Sequence, residues 1–229
     1  MRTAKHPVGT TRAGPTHTRR QFDWRRGQRP PDSVRPLGGT IGLVDELASL
    51  AEMLRKRDEI DRSIAALIGR PAERGHLGEY IASRLFGIRL AESATHPALD
   101  GWFVGGALDG SSVNIKWYGA DEGILDLREP GTVDYYLVIT GPRRGPGSSR
   151  RTTRPFVIDQ VFIFRSDDMH AALAARGIKI GTATSVVRRL WDAAKIYPDA
   201  HSPLLTLSKA TCRQLAAFAT SEPRASPPG

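Results

Sequence analysis

The chain has little cysteine and no long apolar run, and each absence excludes a class of protein. Cys212 is the single cysteine among 229 residues, which excludes an internal disulfide and a zinc site built from several cysteines. No apolar run approaches the roughly 20 residues of a membrane-spanning helix, and the basic N-terminal residues precede no apolar segment of the secretory type. We therefore expect a cytoplasmic protein with no membrane partner.

Common catalytic signatures are also missing from the sequence. There is no Walker loop, no Rossmann glycine fingerprint, no zinc-protease histidine pair and no nucleophile elbow. Gly105, Gly106 and Gly110 have the spacing of turn glycines and do not form a phosphate-binding loop. Any functional site must therefore be built from polar residues that predicted helices and strands bring together.

Positive charge is abundant but unevenly distributed. The net charge is +9, and residues 1–39 alone carry nine basic and two acidic side chains. This stretch is rich in threonine, arginine, proline and glycine and has no hydrophobic periodicity, which predicts a disordered basic tail. Such an arm suits nucleic acid, although a solvated extension that keeps the protein soluble is the alternative. Residues 221–229 are predicted to form a second disordered tail.

The remaining chain, residues 40–220, is predicted to be one domain. A hydrophobic content of 40% and a charged content of 25% fit a soluble globular protein. Leucines at helical spacing, beginning at Leu43, predict an N-terminal helix over residues 40–68. Core packing is the favoured interpretation of this stripe, and a homodimer through residues 43–67 is the alternative.

Alternating side chains predict a sheet in the middle of the domain. The strongest strand pattern covers residues 112–118, where Val113, Ile115 and Trp117 face one way and the polar residues between them face the other. We predict an α/β (α+β) fold with a central mixed sheet of four to five strands flanked by helices. Further strands are predicted at 102–104, 134–140 and 156–164, and further helices at 75–86, 167–176, 184–197 and 204–218.

Four polar residues form the candidate site. Glu79 lies on a predicted helix, Asp100 at the start of a predicted strand, and Asn114 and Lys116 on the next strand. Residues two apart on a strand share a face, so Asn114 and Lys116 are expected to point together. Two carboxylates, a further oxygen ligand and a lysine are what Mg²⁺-assisted phosphodiester cleavage needs. Asp109 is a rival metal ligand, but its place beside a glycine suits a turn better.

The order Glu79, Asp100, Asn114-Ile115-Lys116 resembles the core of the PD-(D/E)XK nuclease superfamily, which has the restriction-endonuclease-like fold. The resemblance covers residues 71–164 and extends to a bacterial family of proteins without an assigned activity. It implies that Asp100 and Asn114 bind Mg²⁺ or Mn²⁺, that Glu79 binds a second metal or a metal-bound water, and that Lys116 positions the attacking water. The chain departs from the superfamily pattern at Asn114, where an acid is usual, and at Leu99, where proline is usual.

A basic segment lies between two predicted strands. Residues 141–155 contain five arginines and no acid, which predicts a nucleic-acid-binding loop; a solvated loop is the alternative. These arginines are Arg143, Arg144, Arg150, Arg151 and Arg154.

These observations together favour a metal-dependent endonuclease that hydrolyses DNA phosphodiester bonds. One alternative is a nucleic-acid-binding module of the same fold, in which Asn114 has weakened the metal site. A second alternative is a structural or interaction protein that uses the N-terminal leucine-rich helix as its partner surface.

Overall fold

The computed structural model describes residues 40–92, 98–143 and 155–219. The chain divides into two units at Ser49 and Leu50, inside the first helix, and the second unit contains the sheet. The tails predicted at residues 1–39 and 221–229 lie outside the described residues, so their disorder stays a prediction. In the described ranges, no helix has the length and apolar character to span a membrane.

Helix α1 spans Thr40–Ile68, the range over which the leucine spacing predicts a helix. It ends at Gly69, whose φ of +72° is readily adopted only by glycine and whose N–H donates to the Ala65 carbonyl at 2.8 Å. Between Leu50 and Ile68 no side chain is buried, and Leu50 and Leu54 are 47% and 49% exposed. Core packing, the favoured interpretation of the leucine stripe, is therefore wrong for Leu50 and Leu54.

The domain is mixed α/β, as predicted, with a mixed sheet flanked by helices. The sheet has six strands in the order β1-β2-β3-β5-β6-β8, and β4 pairs separately with β7. The strands are β1 Ile88–Leu90, β2 Gly101–Phe103, β3 Ser112–Tyr118, β4 Ile124–Leu125, β5 Tyr135–Thr140, β6 Gln160–Arg165, β7 Thr184–Ser185 and β8 Lys195–Tyr197. The other helices are α2 Arg74–Leu85, α3 Ser166–Ala174, α4 Arg188–Ala194 and α5 Lys209–Ala216.

The expectation of four to five strands is wrong, since β1 and β8 are two further strands of three residues each that no glycine turn or alternating pattern indicates. Three residues are too few to show an alternating pattern. The single helix predicted over residues 184–197 is instead β7, α4 and β8, since Ile196 is buried where β8 pairs with β6. The last helix begins only at Lys209, after Ser208 accepts a hydrogen bond from the Thr211 N–H at 3.0 Å and so caps it.

Strand β3 lies between β2 and β5 in the middle of the six-stranded sheet. Its residues Val113, Ile115 and Trp117 pack into one core with Ile81 and Ala82 of α2, as their alternation predicts. Helix α2 lies close to this strand, because a Cβ placed on Gly78 would be 3.2 Å from the Trp117 Cβ. A second core contains the opposite-facing residues of β5 and β6, which pack beneath α3 and α4.

Strands β3 and β5 are parallel, whereas the other neighbouring strands of the six-stranded sheet are antiparallel. Ser112 and Asp134 align the parallel pair at its start, because the Asp134 carboxylate accepts both the N–H and the hydroxyl of Ser112. The crossover between the two strands, residues 119–134, contains no helix. Two tyrosine hydroxyls hold it instead: Tyr118 accepts the Asp126 N–H at 3.0 Å, and Tyr136 accepts the Arg128 N–H at 3.1 Å.

Candidate functional site

Asp100 immediately precedes β2, and its carboxylate is held against β3. Its Oδ2 accepts the Ile115 N–H at 2.6 Å and the side-chain N–H of Asn114 at 3.0 Å. The following residue has to be glycine, because a Cβ on Gly101 would lie 2.4 Å from the Arg89 carbonyl oxygen. The Asp-Gly pair therefore places a carboxylate where strands β1, β2 and β3 lie close together, and it does not form the turn itself.

Asn114 is buried beside Asp100, with 2% of its surface exposed. Its Nδ2 donates to the Ala98 carbonyl at 2.6 Å and to Asp100 Oδ2 at 3.0 Å. Both partners are acceptors, so the amide nitrogen has to face them, and this determines where Oδ1 lies. Among the described residues the buried Oδ1 has no hydrogen-bond partner. A buried carbonyl oxygen without a donor is a costly arrangement that a cation, a water or a substrate N–H would relieve.

Lys116 and Glu79 bring opposite charges to Asp100. Lys116 is half-buried two residues beyond Asn114, and its side chain makes no hydrogen bond or ion pair with any residue of the described ranges. Glu79, on α2, has a side chain that is 19% exposed. The structure therefore brings together all four residues that the sequence pattern singles out. Asn114 donates a hydrogen bond to Asp100, and the charges of Glu79 and Lys116 act on the Asp100 carboxyl.

The burial of Asp100 and the charges around it change the pKa of its carboxyl. The pKa of Asp100 is raised from 3.8 to about 6, chiefly because the carboxyl is buried and to a smaller extent because the carboxylate of Glu79 is nearby. The hydrogen bond from Ile115 opposes the increase, as do the positive charges of Lys116 and Arg70. The balance leaves the carboxyl titrating close to neutral pH, which is typical of functional sites but also occurs in structural ones.

Arg70 belongs to this site, although no sequence pattern singled it out. It lies in the turn between α1 and α2, and its Nη1 contacts Glu79 Oε2 in an ion pair. Periodicity places residues on the face of one element, so it does not predict that a turn residue meets a helix residue nine positions later. In the sequence, an arginine between a helix-ending glycine and a proline does not indicate a functional residue. Its contact with Glu79 is evident only in the folded structure.

The residues fit a hard divalent cation in part. No group of three or more histidine, cysteine, aspartate or glutamate side chains capable of holding a metal exists in the described part of the chain. The available oxygens are those of the Asp100 carboxylate and the unpartnered Oδ1 of Asn114, and Mg²⁺ accepts one or two carboxylates while keeping several waters. One oxygen of Glu79, Oε2, is engaged by Arg70, whose positive charge opposes a cation at this carboxylate.

Asp109 and Arg143, two further candidates from the sequence, make contacts with residues other than the four of the site. Asp109 accepts the Gly105 N–H at 2.6 Å, which is the turn role that its glycine neighbour predicts. Arg143 is exposed beyond β5, where its backbone forms a parallel bridge with Asp121. The other arginines of the basic loop lie outside the described residues, namely Arg144, Arg150, Arg151 and Arg154.

Comparison of the chain with protein-family models finds no match, and comparison with curated proteins finds no significant similarity.

Proposed function

We propose that this protein is a Mg²⁺-dependent nuclease-like protein that hydrolyses DNA phosphodiester bonds. The observation that supports the proposal most is the pairing of Asp100 with Asn114, two residues before a lysine. The amide oxygen of Asn114 is buried and has no hydrogen-bond partner among the described residues. A carboxylate, an oriented neutral oxygen and an amine on adjacent strands are the groups that metal-assisted phosphodiester cleavage uses.

The order of elements supports a PD-(D/E)XK-type core. That core usually runs helix, three strands, helix, strand. Here α2 is followed by β1, β2 and β3, then by the two-residue strand β4, and then by β5, which lies parallel to β3. The crossover of residues 119–134 replaces the second helix of the pattern. Asp100 precedes β2 and Lys116 lies on β3, the next strand along the chain, which is the order that the resemblance implies.

Each residue of the site has a proposed role. Asp100 and Asn114 hold the cation, and a bound Mg²⁺ supplies Lewis-acid stabilisation of the phosphate oxygens. Lys116 positions the attacking water or stabilises negative charge on the phosphate. Glu79 contributes a second carboxylate, for a second metal or a metal-bound water. Arg143, with the other arginines of residues 141–155 and the basic tail, contacts the DNA backbone without reading sequence.

The charge balance of the site favours a second candidate, a nucleic-acid-binding module of the same fold. The two carboxylates, Asp100 and Glu79, are matched by the two cations Lys116 and Arg70, so the four side chains carry no net negative charge to attract Mg²⁺. In that candidate the domain binds DNA through its basic segments and does not cleave it.

The exposed apolar side chains of α1 support a further proposal, a homodimer or partner contact through residues 43–67. Met53 and Ile60 are 59% and 61% exposed, although helices of this length usually bury an apolar face. Light scattering of the full chain and of the double variant Leu50→Glu/Leu54→Glu tests it: a wild-type dimer that the variant makes monomeric supports the contact.

The cation site is tested by thermal shift with Mn²⁺ together with a plasmid-cleavage assay in Mg²⁺. Asp100→Asn is the informative variant, because its amide oxygen still accepts the Ile115 N–H while the charge is lost. Asp109→Asn, in an exposed turn, is the matched control. We expect Mn²⁺ to raise the melting temperature of wild type and the control but not of Asp100→Asn. DNA binding without cleavage would favour the binding module, and an equal Mn²⁺ response of all three proteins would exclude Asp100 as a ligand.

A further inference from the structure

Arg70 covers a carboxylate that the proposed reaction needs. Its guanidinium forms an ion pair with Glu79, whose side chain is only 19% exposed, while 47% of the Arg70 side chain faces solvent. A guanidinium carries five N–H donors in a planar fork that suits carboxylate and phosphate equally. One side of Arg70 is thus bound to the site and the other is open to solvent.

The turn that carries Arg70 is tied down by local hydrogen bonds. On one side of it, the Gly69 N–H donates to the Ala65 carbonyl at 2.8 Å. On the other side, the Pro71 carbonyl accepts the Glu73 N–H at 2.7 Å and lies 3.1 Å from His76 Nδ1. The backbone of the turn is therefore held in place, and a change of the Arg70 side-chain rotamer does not require the turn to unfold.

This ion pair differs from those on the surface of α1. Arg57 and Asp61 are one helical turn apart, and their side chains are 73% and 41% exposed, so solvent weakens their attraction. Arg70 and Glu79 come from different elements, and the Glu79 carboxylate is largely shielded from water. Arg70 also acts on Asp100, because its charge lowers the pKa of that carboxyl. Its positive charge therefore reaches both carboxylates of the site.

We propose that Arg70 is the internal counter-cation of the site: it occupies Glu79 when no metal is bound, and it turns to the substrate phosphate when a divalent cation takes Glu79. This inference rests on the proposed metal-dependent function. Two positive charges at one carboxylate repel each other, so metal binding at Glu79 and the Arg70 contact oppose each other. The released guanidinium, still anchored by its turn, is then free for a bidentate phosphate contact.

The first test measures Mn²⁺ affinity calorimetrically on the full chain without nucleic acid. The variants are Arg70→Gln, Glu79→Gln, the double variant, and Arg57→Gln as the control that removes the same charge from an exposed pair. We expect Arg70→Gln to bind Mn²⁺ about tenfold more tightly than wild type, as expected for removing one partly screened unit charge. Arg57→Gln should match wild type, and Arg70→Gln should tighten Mn²⁺ binding less in the Glu79→Gln background than in wild type.

The second test measures binding of a short DNA duplex by fluorescence anisotropy in Ca²⁺. Arg70→Gln should bind the duplex more weakly than Arg57→Gln, although it binds the metal more tightly. If Arg70→Gln and Arg57→Gln have equal Mn²⁺ affinities while wild type still binds Mn²⁺, the counter-cation role is wrong and the proposed function stands. If no protein of the series binds Mn²⁺, the proposed function fails and this inference fails with it.

Discussion

Asn114 donates one amide nitrogen to both the Ala98 carbonyl and Oδ2 of Asp100, at 2.6 and 3.0 Å. Asn114 therefore has a structural role beside Asp100 that is independent of any metal. Its N–H groups hold the Asp100 carboxylate in place, a task that an aspartate at this position cannot perform because it has no donor. The same geometry directs its unpartnered oxygen away from both acceptors.

The pH dependence of stability should report on Asp100. Its pKa rises from 3.8 to about 6 on folding, so the native state binds the proton more tightly than the unfolded state does. The free energy of unfolding should therefore fall as pH rises from about 4 to about 6, because ionised Asp100 is less stable in the folded site than in water.

Thermal unfolding of wild type and Asp100→Asn across this pH range measures the effect. The melting temperature of wild type should decline relative to Asp100→Asn as pH rises, and Asp109→Asn should follow wild type. A constant difference between wild type and Asp100→Asn would mean that the carboxyl is not buried as the structure has it.

Lys116 should matter for cleavage and not for folding. It is half-buried and forms no ion pair within the described ranges, so Lys116→Ala should change the free energy of unfolding by less than about 0.5 kcal/mol. Loss of a group that positions water or stabilises the phosphate should reduce Mg²⁺-dependent cleavage about 100-fold or more. Circular dichroism and a plasmid-cleavage assay check both expectations, with the exposed Lys179→Ala as control. Cleavage by Lys116→Ala at the wild-type rate would show that Lys116 has no catalytic role and is only a residue of strand β3.

Alanine substitutions at two glycines of α2, Gly75 and Gly78, should change the free energy of unfolding in opposite directions. A Cβ on Gly75 would meet nothing within 4 Å, whereas one on Gly78 would lie 3.2 Å from the Trp117 Cβ. Gly75→Ala should therefore stabilise the protein by about 0.5–1 kcal/mol through helix propensity, and Gly78→Ala should destabilise it by about 1–3 kcal/mol through overpacking. Urea unfolding of the two variants gives both values. Equal stabilities would contradict the close approach of the helix that carries Glu79.

The elements that sequence predicted well are those with enough residues to show a period. Strand β3 alternates over seven residues, and its facing is as predicted. Asp100 lies beside Asn114 as short hairpin spacing suggests. Strands β1 and β8 are not predicted because three residues contain no period, whereas the equally short β2 is indicated by the turn glycines that follow it.

Other features depend on tertiary contacts that no local pattern encodes. The crossover between β3 and β5 is held by the hydroxyls of Tyr118 and Tyr136, which sequence reading assigns to strands and not to loop anchoring. Arg70 joins the site only because the turn after α1 places it against α2. The leucines of α1 show the converse: a helical stripe predicts a helix but does not identify what, if anything, covers it.

Asn114→Asp provides the sharpest prediction for the site. The change removes both donated hydrogen bonds and places a second carboxylate beside Asp100 in a buried position. Without metal, the variant should lose about 3 kcal/mol or more, and at roughly 2–4 °C per kcal/mol the melting temperature should fall by about 6 °C or more. A cation between the two carboxylates would offset the repulsion, so Mn²⁺ should restore much of the loss and raise the melting temperature by more than it does in wild type.

Melting temperatures of wild type, Asn114→Asp and Asn114→Ala, each with and without Mn²⁺, separate the possible causes. Asn114→Ala loses the same hydrogen bonds but adds no charge, so Mn²⁺ should not rescue it. Because Mg²⁺ favours anionic oxygen, Asn114→Asp should also raise Mg²⁺-dependent cleavage or first reveal it. An Asn114→Asp protein as unstable with Mn²⁺ as without it would show that Asn114 only cross-links Ala98 and Asp100 within the sheet. The metal-site proposal would then be wrong at its central residue.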